Sequence, residues 1–133
     1  MTESIYRRLL WIYIALLVAG ITAFGFADYS EALSAAYDNE PRTWLMSYRG
    51  MSLALMAVWA TAALVGLFGL FRFRSWGRTL SLVVTLAGLL LSAFMGVFLA
   101  SGIESALFDG TNMVWGAILA LSYFSAVSTR FER

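Results

Sequence analysis

Four apolar runs, each free of Asp, Glu, Arg and Lys, dominate this chain. They cover residues 9–27, 51–71, 79–100 and 113–127, and the last reaches 111–128 if Thr111 and Ser128 are included. A helix needs about 20 apolar residues to cross ~30 Å of hydrocarbon. The first three runs, at 19, 21 and 22 residues, meet that length. The fourth, at 15, sits at its lower edge, with Asn112 and Trp115 suited to one interface and Tyr123 and Arg130 to the other. A half-span or interfacial helix is the alternative for this run.

Hydrocarbon offers no partner to backbone N–H and C=O groups, and the runs lack the alternation of a barrel strand, so they are expected to be helices. Composition points the same way. Of 133 residues, 61% are hydrophobic and only 13% charged, and a chain this small has too little interior to hide that load from water. The expected fold is all-α: a membrane-embedded antiparallel four-helix bundle formed by a single integral membrane domain, 1–133, with a short helical outer excursion within 28–50.

Seven of the nine Arg flank the same ends of these runs: Arg7 and Arg8, then Arg72, Arg74 and Arg78, then Arg130 and Arg133. Asp28, Glu31, Asp38, Glu40, Glu104 and Asp109 fall on the other side, with Arg42 and Arg49. The excess of Arg marks the cytoplasmic side, so both termini are expected in the cytoplasm, in a bacterial inner membrane. A basic start, an apolar stretch and small residues at Gly25 and Ala27 also fit a secretory signal peptide, but the apolar core exceeds the usual 7–15 residues. A retained first helix is expected.

In the segment 28–50, Asp28 and Glu31 have capping-box spacing. Tyr29, Leu33, Ala36 and Tyr37 then share a helical face until Asp38-Asn39-Glu40-Pro41 breaks it. Pro41 suits the first position of a second helix, and Trp44, Leu45 and Tyr48 follow at helical spacing. Asp28, Glu31, Trp44 and Tyr48 form the candidate outer cap, either a headgroup-level anchor or a docking surface for a partner. Asp38 and Glu40 supply too few ligands for calcium. Between the third and fourth runs, Gly102 suits a helix C-terminus and Thr111 a helix N-cap.

Small residues four apart let helices approach closely in lipid. Ala15, Ala19, Ala23 and Ala27 form such a series, as do Ala62 and Gly66, Ser92, Gly96 and Ala100, and Gly116 and Ala120. These are candidate packing seams, within the bundle or toward a partner, and the first and third runs carry the longest. The stretch RFRSWGR, 72–78, reads as a tight basic turn in which Gly77 relaxes the chain. There Arg72, Arg74, Trp76 and Arg78 meet lipid headgroups, anionic ones included. Three Arg on a hairpin form no extended nucleic-acid groove.

The chain has no Cys and no His, which excludes thiolate and imidazole chemistry, zinc-thiolate sites and His-ligated haem. No ionisable residue interrupts a run, so the membrane Glu of small dimeric multidrug exporters is missing, and the polar motifs of small dimeric fluoride channels are absent too. Ser52, Thr61, Ser81, Thr85, Ser92, Ser122 and Ser125 are the hydroxyls available to line a pore, although such groups more often bond to the preceding helical turn. No cofactor, metal or catalysis is expected. The expected role is that of an accessory or regulatory subunit, whose partners are the bilayer and either another membrane protein or further copies of itself. A small homo-oligomeric channel or transporter is the first alternative and a holin-like pore-forming protein the second.

Overall fold

The computed structural model describes residues 3–26, 28–41, 43, 47–96 and 98–132. Among them there are five α-helices and no strand: α1 Glu3–Gly25, α2 Glu31–Asp38, α3 Arg49–Phe71, α4 Ser75–Met95 and α5 Gly102–Phe124, followed by a 3-10 helix, Ser128–Glu132. Three of them, α1, α3 and α4, are long and apolar enough to cross a membrane. α5 has the length, at 23 residues, but its first half carries Glu104, Asp109 and Asn112.

Two boundaries differ from the sequence expectation. The third run, 79–100, becomes a helix spanning Ser75–Met95, which Gly96 ends with a φ of 80° that favours glycine. The fourth helix starts at Gly102, well before Thr111. The reason is a capping box. The Ser101 hydroxyl accepts from the Glu104 N–H at 3.3 Å, and the Glu104 carboxylate accepts from the Ser101 N–H at 2.5 Å. Gly102 therefore opens a helix instead of closing one, and Thr111 lies inside it, donating to the Leu107 carbonyl at 2.7 Å.

The helices pack as two antiparallel pairs, α1 with α5 and α3 with α4. The α3–α4 seam is glycine against glycine. A Cβ on Gly77 would fall 2.5 Å from the backbone of Gly69, and a Cβ on Gly66 would fall 2.7 Å from the Ser81 hydroxyl. Gly77 therefore lies in α4 as a packing position and does not relax the turn. The turn closes by a Schellman arrangement: Phe73 N–H donates to the Leu70 carbonyl at 3.1 Å and Arg74 N–H to the Gly69 carbonyl at 2.9 Å. Phe73 takes the left-handed position usually given to glycine, with φ 51°, at a cost of about 1–2 kcal/mol.

That strain places the Phe73 ring in an aromatic cluster, 5.7 Å from Tyr6 and 5.3 Å from Phe131. The start of α1, the α3–α4 turn and the 3-10 helix thus meet at one end of the molecule. Tyr6, Leu10, Leu70, Ile118, Val127 and Phe131 form the buried core there, tying the two pairs together. Midway along, the Trp115 indole of α5 donates to the Thr85 hydroxyl of α4 at 2.8 Å.

Candidate functional site

The basic end is built partly from structural arginines. Arg78 is half-buried, donates to the Ser122 carbonyl at 3.4 Å, and lies over the rings of Tyr123 and Phe131 at 5.0 and 5.8 Å. It joins α4 to α5 and the 3-10 helix. Arg72 lies over Phe68 at 5.1 Å, and Arg74 is exposed as the N-cap of α4. The Trp76 ring packs against Gly69 yet stays 46% exposed. Of the four residues assigned to headgroups, Arg72, Arg74 and Trp76 are exposed and Arg78 is engaged within the chain.

The small-residue seams divide in the same way. Gly66 is buried and Ala19, Ala23, Ala62 and Ala100 are half-buried. Ala15, Ser92, Gly96, Gly116 and Ala120 are exposed, and a Cβ on Gly116 would meet nothing within 4 Å. Ala27 lies outside the described residues. Among the hydroxyls considered for a pore, Ser52, Thr61, Thr85, Ser92, Ser122 and Ser125 each donate to a carbonyl of the preceding turn, whereas the Ser81 hydroxyl is buried at Gly66 with no hydrogen-bond partner among the described residues.

The opposite end holds a buried acid. Glu104 has no solvent exposure. One carboxylate oxygen accepts from the Tyr29 hydroxyl and from the Ser101 N–H, both at 2.5 Å. The other oxygen is buried without a partner. The Tyr29 hydroxyl, with help from the Ser101 N–H, holds the Glu104 carboxyl below its ordinary range. Donation to that carboxylate raises the Tyr29 hydroxyl in turn. The bond ties the segment before α2 to the start of α5 across 75 residues.

Around this node, Asp28 and Glu31 are exposed, and the N-cap of α2 is Ser30, whose hydroxyl accepts from the Leu33 N–H at 3.4 Å. The expected Asp28–Glu31 capping box is therefore replaced by a serine cap one helical step before Glu31. Tyr48 is exposed at the N-cap of α3, and Trp44 lies outside the described residues. Glu104 is not among the sequence candidates, although Ser101-x-x-Glu104 ahead of Ala106 and Leu107 is a helix-start pattern.

Two adjoining cavities lie between the start of α3 and the end of α4. One, of ≈ 410 Å³, has Tyr37, Asp38, Glu40, Thr43 and Arg49 in its wall. The other, of ≈ 300 Å³, runs between the helices along Leu55, Trp59, Gly88, Leu91 and Phe98. Ser52, Met56, Met95 and Gly96 border both. Among the described residues, no group of three or more acidic side chains is placed to hold a metal ion.

No protein-family model, curated protein or solved structure matches this chain.

Proposed function

We propose that the chain is an integral membrane protein in which α1, α3, α4 and a fourth, shorter span over 111–128, begun within α5, cross a bilayer as a four-helix bundle. It acts as a non-enzymatic accessory or regulatory subunit, through helix faces and the outer end. The observation that carries this reading is the inverted surface. Val18 and Ile21 of α1, Val58 and Leu64 of α3, and Leu89 and Leu90 of α4 all stand more than half exposed. Water-soluble monomers rarely expose contiguous apolar surface on that scale, whereas lipid tails solvate it at no cost.

The charges support the same placement. Arg7, Arg8, Arg72, Arg74 and Arg130 gather at one end, the cytoplasmic one under the positive-inside rule. Glu104, Asp28 and Glu31 lie at the other. In the bacterial inner membrane this puts both described ends of the chain inside the cell.

For the partner contact, the exposed pair Gly116 and Ala120, four apart on α5, is the best candidate. Both residues are exposed within the helix and a Cβ on Gly116 meets nothing within 4 Å, so a neighbouring helix can approach closely there. Extraction in native lipid with a tag on the chain should recover either a second membrane protein or a multiple of the 14.7 kDa chain mass. Gly116→Leu should abolish that association while the 14.7 kDa unit stays folded. Recovery as a lone monomer, or solute flux through liposomes holding the pure chain, would contradict the subunit role.

A further inference from the structure

The outer crevice between α2, α3 and α4 has the form of a binding site for an amphiphile. We propose that it holds a phospholipid whose headgroup carries both a phosphate and a protonated amine. This rests on the membrane placement proposed above.

The crevice is polar at its mouth and apolar along its length. Asp38, Glu40 and Arg49 line its polar part, yet among the described residues the only ion pair is Arg7–Glu3. Among the described residues, charges of both signs thus border one cavity without pairing with each other. The Thr43 hydroxyl oxygen, in the same wall, is buried without a hydrogen-bond partner. A zwitterionic headgroup matches this arrangement, with its amine on Asp38 and Glu40 and its phosphate on Arg49. An anionic phosphoglycerol headgroup satisfies Arg49 but meets two carboxylates. An uncharged diacylglycerol satisfies none of them. The mouth therefore discriminates by repulsion as well as by attraction.

The apolar part has the right length and direction. Its wall on α3 runs from Ser52 to Trp59, about 10 Å at 1.5 Å per residue. One leaflet contributes about half of the ~30 Å hydrocarbon thickness, so the groove follows an acyl chain for roughly two thirds of its depth. The floor is rigid: the Trp59 indole donates to the Val84 carbonyl at 3.0 Å and packs on Gly88. Gly96, at the end of α4, leaves space where a side chain would press on Thr43.

The test is native mass spectrometry of the full chain released from nanodiscs of equal parts phosphoethanolamine-headed lipid, phosphoglycerol-headed lipid and diacylglycerol. One phosphoethanolamine lipid should be retained, in roughly fivefold preference over the phosphoglycerol lipid. Asp38 and Glu40 are exposed, so the double variant Asp38→Asn, Glu40→Gln should fold and lose that preference. Ser92→Phe, which fills the groove, should release all three lipids. Equal retention of the lipids, a phosphoglycerol preference in the unmodified chain, or an unchanged preference in the double variant would each overturn the proposal. A chain that leaves the membrane in an alkaline wash would instead overturn the membrane placement, which separates the two failures.

Discussion

Gly77→Leu is expected to destabilise the fold by about 3 kcal/mol, the upper part of the usual overpacking range. The cause is local and severe. A Cβ at residue 77 would lie 2.5 Å from Gly69 carbonyl carbon and Cα, and 2.9 Å from the Leu70 nitrogen. These are backbone atoms, so no rotamer change can make room. α3 and α4 must separate, which also pulls the Phe73 ring from its place between Tyr6 and Phe131. Gly69→Leu should behave alike, because its Cβ meets the Gly77 Cα at 2.5 Å and the Trp76 ring at 2.9 Å. Gly116→Leu is the control. It adds a side chain where nothing lies within 4 Å and replaces a glycine inside a helix, so it should leave the single chain as stable or up to about 1 kcal/mol more so. Thermal unfolding in detergent micelles reads all three. Equal stability of the Gly77 and Gly116 variants would contradict the described α3–α4 seam.

Glu104→Ala is the second large effect expected. It leaves the Tyr29 hydroxyl and the Ser101 N–H without their shared acceptor and removes the capping box of α5. The outer segment should detach from α5, and the unfolding temperature should drop. The pH dependence identifies the cause. The Glu104 carboxyl is held below its ordinary value of 4.5 in the folded chain. Its stabilisation is therefore complete above that value and is lost as pH falls through the lower, folded value. Tyr29 has the opposite sense. Its hydroxyl is raised above 10.0 in the folded chain, so its contribution is complete below 10.0 and is lost as pH rises through the higher, folded value. Tyr29→Phe should abolish the alkaline loss, and Glu104→Gln the acid loss. A Glu104→Gln chain that weakens below pH 4.5 as steeply as the unmodified one would show that Glu104 is not the group responsible.

The helices were legible in the sequence because apolar length is a coarse signal that single residues do not disturb. The α3–α4 pairing follows from the short turn at 72–74, since consecutive helices joined so tightly become antiparallel neighbours. The α1–α5 pairing was not legible, because nothing local in 3–25 specifies contact with 102–124. From sequence the start of α5 falls too late, because Gly102 suits a helix end and Thr111 a helix start, although the Ser101–Glu104 spacing marks the start that forms. The Tyr29–Glu104 bond left no trace at all, since the two residues are 75 apart and each has an ordinary local role. Gly77 was misread for another reason. Glycine marks both turns and close helix contacts, and here Phe73 takes the turn position that glycine usually holds.

The central claim is that four helices cross a bilayer with the arginine-rich end inside. The chain has no Cys, so a single introduced thiol reports its side of the membrane without background. Ser34 lies in α2 and Ser75 opens α4 at the arginine end. With a membrane-impermeant maleimide on intact cells, Ser34→Cys should be labelled at once, and Ser75→Cys only after the membrane is opened. Labelling of both from the outside, or of Ser75→Cys alone, would contradict the account.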